Sequence, residues 1–318
     1  MKKVVVLGAG GFIGSHLVKR LKKEGHYVIA ADIKYPDFSS TQADEFFLGD
    51  LREIDFVNKV ITDNIDELYQ LAADMGGAGY IFSGLNDANV MHNSAQINLN
   101  VAKVAVEKSV KALFYSSSAC MYPEFNQLDP NNPKCGENTA YPAAPDSEYG
   151  WEKLFSERLY FSFQRNYGLN VKVARFHNIY GEEGTWNNGK EKAPAALCRK
   201  VSDANEGGEI EIWGDGMQTR SFLYIEDCLD AVLKLTRSEF SGPYNIGSEE
   251  MISINNFALL IASIAGKNVT IKNIEGPIGV RGRCSDNRLI FNDLKWKPAV
   301  NLTEGITHLY HWISNQNA

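Results

Sequence analysis

The chain has 318 residues, 44% of them hydrophobic, and a formal net charge of −7 from 32 Lys plus Arg against 39 Asp plus Glu. That apolar content excludes a globally disordered chain, and the acidic balance lacks the basic footprint of a non-specific nucleic-acid binder. Five cysteines are too few, and odd in number, for a disulfide framework, which fits a reducing compartment.

Residues 4–7 are a continuous apolar run, Val4 to Leu7, suited to a parallel strand buried on both faces. Met1, Lys2 and Lys3 before it resemble the start of a signal segment, but glycines and charges break the run by residue 14. The segment is read as the first strand of the fold and the protein as cytoplasmic. No apolar stretch reaches membrane-spanning length, so no membrane helix is expected. A glycine-rich turn leads into a helix over 15–23, and a second strand over 27–31 ends at Asp32. This is a complete βαβ unit. The rhythm continues with strands at 45–48 and 67–71, helices around 54–60 and 95–109, a strand at 112–116, a helix at 148–166 and a strand at 170–175. The texture then turns irregular, with short strands at 210–213 and 222–224 and helices at 227–235, 253–265 and 302–314. The expected fold is α/β: a Rossmann-type doubly wound parallel sheet over 1–177, with later segments free to cross back, and a smaller mixed lobe mainly over 178–318.

Gly8, Gly11 and Gly14 are spaced by three between a strand and a helix. Gly8 permits the tight turn, Gly11 lets a pyrophosphate approach the backbone, and Gly14 lets the helix pack on the strand. The helix N-terminus that follows offers N–H groups to the phosphates, and Phe12 and Ile13 within the turn are expected to contact the cofactor as well. Asp32, 18 residues past Gly14, is placed to bond the adenine-ribose diol and to repel a 2′-phosphate. NAD is therefore the expected cofactor. Asp50, Leu51, Leu71 and Ala73 follow later strands and are expected along the same crevice.

Tyr149 and Lys153 are four apart near a helix start and share one face. A phenol with an ordinary pKa of about 10 is a poor base at neutral pH. A neighbouring lysine cation and an oxidised nicotinamide favour the phenolate, which takes a hydroxyl proton as hydride leaves the carbon. Ser118, at the carboxyl end of a strand, points into the ligand crevice of an open sheet and can bond the same hydroxyl. Together with the glycine turn, this set resembles an extended short-chain dehydrogenase/reductase.

Further segments resemble the GDP-mannose 3,5-epimerase family. They are AADMGGAG at 72–79, SSACMYPE at 117–124 and RFHNIYG at 175–181, followed by GTW at 184–186 and GKEKAPAA at 189–196. Downstream, WGDG at 213–216, QTRSF at 218–222, GVRGR at 279–283 and SDN at 285–287 continue the match. The resemblance implies that Cys120 and Lys192 exchange protons with a hexose ring from opposite faces. A fixed base on one face cannot both remove and return a proton across a carbon. A thiol is readily tuned by a nearby cation, and a lysine by a dry or cationic pocket. The resemblance also implies a GDP-sugar contacted by Met75, Gly76, Gly77, Ser118, Asn178, Glu191 and Lys192, with Lys200, Arg220 and Arg283 on or beside its diphosphate. It implies a homodimer and no metal, while the acidic charge argues against a nucleic-acid partner. His177 is read as lining the nicotinamide or structuring the crossover.

The implied reaction is NAD-dependent epimerisation of a GDP-hexose at C3 and/or C5 through a transient 4-ketone. GDP-mannose is the leading substrate and GDP-L-galactose or GDP-L-gulose the products. A related enzyme on another GDP-sugar, such as a manno-heptose, or one inverting a single carbon, is the alternative. A 4,6-dehydratase is disfavoured because Ala119-Cys120 stands where such enzymes carry Asp-Glu. A non-enzymatic NAD-binding protein has no need of Tyr149, Lys153, Cys120 and Lys192 together.

Overall fold

The computed structural model describes residues 1–316. Its first half carries strands β1 (Lys3–Leu7), β2 (Tyr27–Asp32), β3 (Glu45–Leu48), β4 (Glu67–Gln70), β5 (Leu113–Ser118) and β6 (Val171–Phe176). Between them run helices α1 (Phe12–Lys23), α2 (Ile54–Val60), α3 (Ala78–Ile81), α4 (Asp87–Glu107) and α5 (Glu148–Tyr167). The second half carries β7 (Ile179–Tyr180), α6 (Ala193–Asp203), β8 (Gly208–Trp213), β9 (Thr219–Ser221), β10 (Leu223–Tyr224) and α7 (Ile225–Thr236). It ends with β11 (Tyr244–Ile246), β12 (Met251–Ser253), α8 (Ile254–Ala265), β13 (Val269–Ile274), β14 (Gly282–Arg283), α9 (Arg288–Leu294) and α10 (Leu302–Gln316).

Seven strands form one sheet in the order β11-β6-β5-β4-β1-β2-β3. Every pairing in it is parallel. β1 lies near the middle, with Val5 opposite Ile29 on one side and Leu68 on the other. Because strand side chains alternate, Val4 and Val6 pack with Leu17 and Leu21 of α1 and Leu229 and Val232 of α7. Val5 and Leu7 pack on the opposite face with Val57 of α2 and Ile97 and Val101 of α4. A third core, including Cys198, Ile210, Phe257 and Ile306, holds α6, α8 and α10 together in the smaller lobe. The chain does not divide cleanly near residue 178, because α7 covers the sheet and β11 extends it.

Several elements differ from the sequence expectation. α4 begins at Asp87 rather than near residue 95, and α6 starts directly from the Gly/Asn-rich stretch, with proline in its first turn. Proline there lacks only an N–H that a helix start leaves unpaired anyway. β11 is three residues long, too short for a periodic signal. No helix among the described residues is long and apolar enough to cross a membrane.

Beneath the carboxyl end of the sheet, Glu157 of α5 and Arg175 of β6 form a buried bidentate ion pair. Arg175 Nε and Nη2 donate to the two carboxylate oxygens at 2.9 and 2.8 Å. The side chains are 3% and 4% exposed. Glu157 also accepts from the Ser117 hydroxyl at 2.5 Å, and Arg175 Nη1 donates to Tyr122 Oη and the Glu137 carbonyl, each at 3.1 Å. Removing one partner of such a pair leaves a buried charge without its counterion. Glu157→Leu is expected to lower unfolding stability by about 3–5 kcal/mol, measured by urea denaturation; an unchanged midpoint would contradict this role.

Candidate active site

The glycine turn is built by close backbone contacts. A Cβ on Gly8 (φ +83°) would lie 2.7 Å from Ala72 N, and one on Gly14 would lie 2.1 Å from the Gly8 carbonyl. At Gly11 the nearest protein atom to such a Cβ is 3.4 Å away, so the protein itself leaves that space open. No side chain caps α1 and its first turn holds no acid, so the N–H groups at Phe12 and Ile13 face an anion-ready space. Gly10, Gly11, Phe12 and Ser15 line a cavity walled on the other side by Lys34, Pro36 and Thr185. Asp32 accepts from Gly10 N at 2.9 Å and from Lys34 N at 3.2 Å. Burial pushes its carboxyl above the ordinary range, and these backbone donors oppose the rise. This open cradle with a carboxylate at its far end fits a dinucleotide.

Other crevice residues are more occupied. Leu71 N donates to the Leu7 carbonyl at 3.1 Å, which sets Leu71 and then Ala73 on the chain leaving β4. Leu51 is buried in the core under α4, with its carbonyl accepting from Asn100. The Asp50 carboxylate is gripped by Arg52, which holds it below the usual range.

Ser118 ends β5, and its hydroxyl accepts from Cys120 N at 3.2 Å in a short 3-10 turn, Ala119–Met121. α5 begins beside this turn, with Ser147 as N-cap accepting from Gly150 N at 3.3 Å. Gly150, missed in the sequence reading, decides how closely the two segments meet. A Cβ there would lie 2.2 Å from the Cys120 carbonyl. Its neighbour Tyr149 is buried, and burial pushes the phenol well above its ordinary value; the nearby Cys120 adds to the rise, while the Ser118 hydroxyl and the Arg283 charge oppose it. Lys153 Nζ donates to the Ser116 carbonyl at 3.0 Å and sits 5.6 Å from the Tyr149 ring centre. Burial lowers its ammonium from the ordinary lysine value.

Cys120 is half-buried, and Arg283 Nη1 donates to its sulfur at 3.0 Å. Lys192 is the N-cap residue of α6 and is solvent-exposed. Protein crowded around it withholds water and lowers its ammonium, and the neighbouring Cys120 pulls the other way. Gly77 fixes this segment: its N–H donates to the Lys190 carbonyl at 3.0 Å, and a Cβ there would lie 2.5 Å from the Glu191 carbonyl. Met75 is 37% exposed, and Gly76 closes against the Tyr80 ring. Arg220 and Arg283 stand opposite each other in the β14–β9 pair, and burial together with the Arg283 charge pushes Arg220 down to about 10. Arg220 donates to the Thr219 and Ile278 carbonyls. Asn178 adopts a left-handed backbone (φ 48°) and donates to the Ser221 carbonyl at 3.0 Å.

Two expected substrate residues have other partners. Lys200 donates to the Glu211 carbonyl at 2.5 Å, and the charges near it are Glu211, Arg199 and Glu191 rather than the two arginines. Glu191 is paired with Arg199 at 3.0 Å and accepts from Gly189 N at 2.6 Å. His177 is fully buried, with Nε2 on Asn245 Oδ1 of β11 at 2.9 Å and Nδ1 without a partner. It braces the crossover rather than facing the cleft. Among the described residues no group of three or more His, Cys, Asp or Glu could hold a metal ion.

Fold and site define an extended short-chain dehydrogenase/reductase, and residues 4–247 match the model of the NAD dependent epimerase/dehydratase family. The UDP-glucose 4-epimerase of Thermotoga maritima, solved with UDP-glucose, shares the fold at a TM-score of 0.85 and 24% identity, over 99% of this chain and all of that one. MoeE5, solved with UDP-glucuronic acid and NAD, gives a TM-score of 0.79 and 25% identity, covering 99% of this chain and 100% of that one. Within this class the chain belongs to the GDP-mannose 3,5-epimerase family. It is 47% identical to the Arabidopsis thaliana GDP-mannose 3,5-epimerase across 99% of its own length and 82% of that protein.

The buried imidazole has a consequence for acid stability. Burial lowers the folded-state pKa of His177 from 6.5 to about 3. The unfolded chain takes up this proton as pH falls below about 6.5, while the folded chain does not until about pH 3. The contribution is therefore complete above that upper value and is lost as pH falls through the window, by up to about 1.4 kcal/mol per pH unit. His177→Asn is expected to flatten this part of the stability profile in urea titrations at a series of pH values. Parallel profiles for the two proteins would contradict it.

Proposed function

We propose that this protein inverts C3 and C5 of GDP-mannose through a 4-keto sugar. The observation that carries this reading is the convergence on one cleft of two sets of groups. Tyr149, Lys153 and Ser118 suit oxidation and reduction at C4. Cys120 and Lys192 suit proton transfer at the neighbouring carbons, and each lies within range of the other's charge.

The glycine turn and Asp32 would hold NAD, which supplies the acceptor for the C4 hydride and a positive ring that favours the Tyr149 phenolate. Tyr149 takes the proton of the C4 hydroxyl, and Ser118 orients that hydroxyl. Lys153 keeps positive charge beside the phenol. Once C4 is a ketone, the hydrogens on C3 and C5 become acidic, because their loss gives an enolate. Cys120 comes from the turn after β5 and Lys192 from the start of α6, and in this reading they act on the ring from opposite faces. One removes the proton and the other supplies its replacement across the ring, so no net proton is consumed. Tyr149 then returns its proton to the C4 oxygen as the ketone is reduced. The lowered ammonium of Lys192 suits this role, since only a neutral amine accepts a proton.

The same reading includes a cytoplasmic homodimer. Leu99 on α4 and Trp151 and Phe155 on α5 are large apolar side chains left 40–45% exposed on the sheet domain's outer helices, which supports a partner there. Light scattering should give twice the chain mass, and a monomer at micromolar concentration would remove that element.

The reaction is tested with GDP-mannose in deuterated water, read by NMR. Deuterium is expected at C3 and C5, with galacto and gulo products. Cys120→Ala should still reduce NAD at C4 but incorporate no deuterium; normal exchange in that variant would overturn the thiol's role. Turnover confined to another GDP-sugar would overturn the substrate.

A further inference from the structure

We propose that Gln127 and Asp146 are positioning residues that aim the Arg283 guanidinium at the Cys120 sulfur, making Arg283 part of the proton-transfer apparatus. This deepens the reading of Cys120 as an acid/base group and rests on it.

Three edges of one guanidinium are used. Nε donates to Gln127 Oε1 at 2.6 Å, Nη1 to Cys120 Sγ at 3.0 Å and Nη2 to Asp146 Oδ2 at 3.3 Å. The fork is rigid and planar, so two fixed edges set the direction of the third. Both orienting partners are themselves held. Gln127 is fully buried, and its amide nitrogen donates to the Tyr122 and Pro123 carbonyls at 3.1 and 3.2 Å. Those bonds leave Oε1 facing the arginine, because the flipped amide would set N–H groups against a donor. The Asp146 side chain is only 6% exposed, and it directly precedes Ser147, the N-cap of the helix that carries Tyr149.

The arginine's own backbone is clamped as well. A Cβ on Gly282 would lie 2.6 Å from the Asp129 carbonyl, so β14 sits directly on the loop that also carries Gln127. The assembly thus joins the thiol turn, the start of α5 and the substrate lobe through one cation. Three of the five guanidinium N–H groups are spent inside the protein, leaving one on each terminal nitrogen for a ligand. A guanidinium turned this way supports negative charge on sulfur when Cys120 gives up its proton. Other groups that interact with the Cys120 charge are Tyr149, Lys153, Lys192 and Arg220. None of them donates to the sulfur within hydrogen-bond reach, as Arg283 does.

The test uses the NAD-loaded full chain and the pH dependence of Cys120 alkylation by iodoacetamide. The Cys120→Ala protein gives the background from half-exposed Cys284. Gln127→Met keeps the volume and removes the acceptor. It should move the alkylation profile to higher pH and slow deuterium entry into the sugar by about tenfold, the scale of one hydrogen bond to a charged group. KM for GDP-mannose and NAD reduction at C4 should stay within about twofold. Asp146→Asn keeps an acceptor for Nη2 but removes a negative charge beside the guanidinium, so it should move the profile to lower pH, and it serves as the second probe if Gln127→Met folds poorly. An alkylation profile unmoved by either substitution overturns the proposal, as does a rise in KM with exchange unaffected. Normal exchange in Cys120→Ala overturns the underlying reading instead, even where the alkylation profile shifts.

Discussion

The buried pair of Glu157 and Arg175 is the constraint on which the catalytic geometry depends. Two charges withdrawn from water carry a desolvation cost of several kcal/mol each. Here it is offset by a bidentate contact and by the bonds to Ser117, Tyr122 and the Glu137 carbonyl. Three groups in this network adjoin different segments of the candidate site. Ser117 immediately precedes Ser118, Tyr122 follows the turn that carries Cys120, and Glu157 lies one helical turn past Lys153. A network satisfied in this way specifies one arrangement of strand, turn and helix, since any slip would strand a charge.

Above that anchor, the work is divided between rigid and composite parts. The groups proposed for C4 chemistry sit on β5 and α5, both packed into the sheet domain. The groups proposed for proton transfer are assembled from separated stretches: Cys120 from a 3-10 turn, Lys192 from the start of α6, and Arg283 from a two-residue strand in the smaller lobe. Glycines make these approaches possible. Gly150 lets the thiol turn lie against the catalytic helix, and Gly77 lets the loop after β4 seat the chain leading to Lys192. Elements that gain only modestly from local propensity are thus held by contacts distant in sequence.

How much of this was legible beforehand follows from the range of the forces involved. The β-branched run at Val4, the glycine spacing and the Tyr149–Lys153 interval are local signals, and the fold shows them as a central strand, a tight turn and one helix face. Cys120 and Lys192 were legible only through their surrounding motifs, since neither residue type carries a pattern of its own. Gln127, Asp146 and Gly150 left no such trace, because their significance lies in partners between 30 and 156 positions away. Lys200 shows the converse. As a cation in a matching stretch it invited a phosphate role, yet its long side chain reaches a backbone carbonyl of the neighbouring strand. β11 was invisible because three residues cannot display a period.

That short strand has a consequence for the order in which the molecule can be completed. β6 pairs on one side with β5 and on the other only with residues 244–246. During synthesis the first six strands emerge well before their outermost neighbour, so the growing sheet carries an open hydrogen-bonding edge while some seventy residues of the second lobe are still being made. His177 and Arg175 lie at or just beyond the end of that edge strand, and the Asn245 that bonds the imidazole arrives with β11. The nascent chain therefore cannot seal the region beneath its candidate site until about half of the second lobe has been translated, which ties maturation of the sheet domain to the half that follows it.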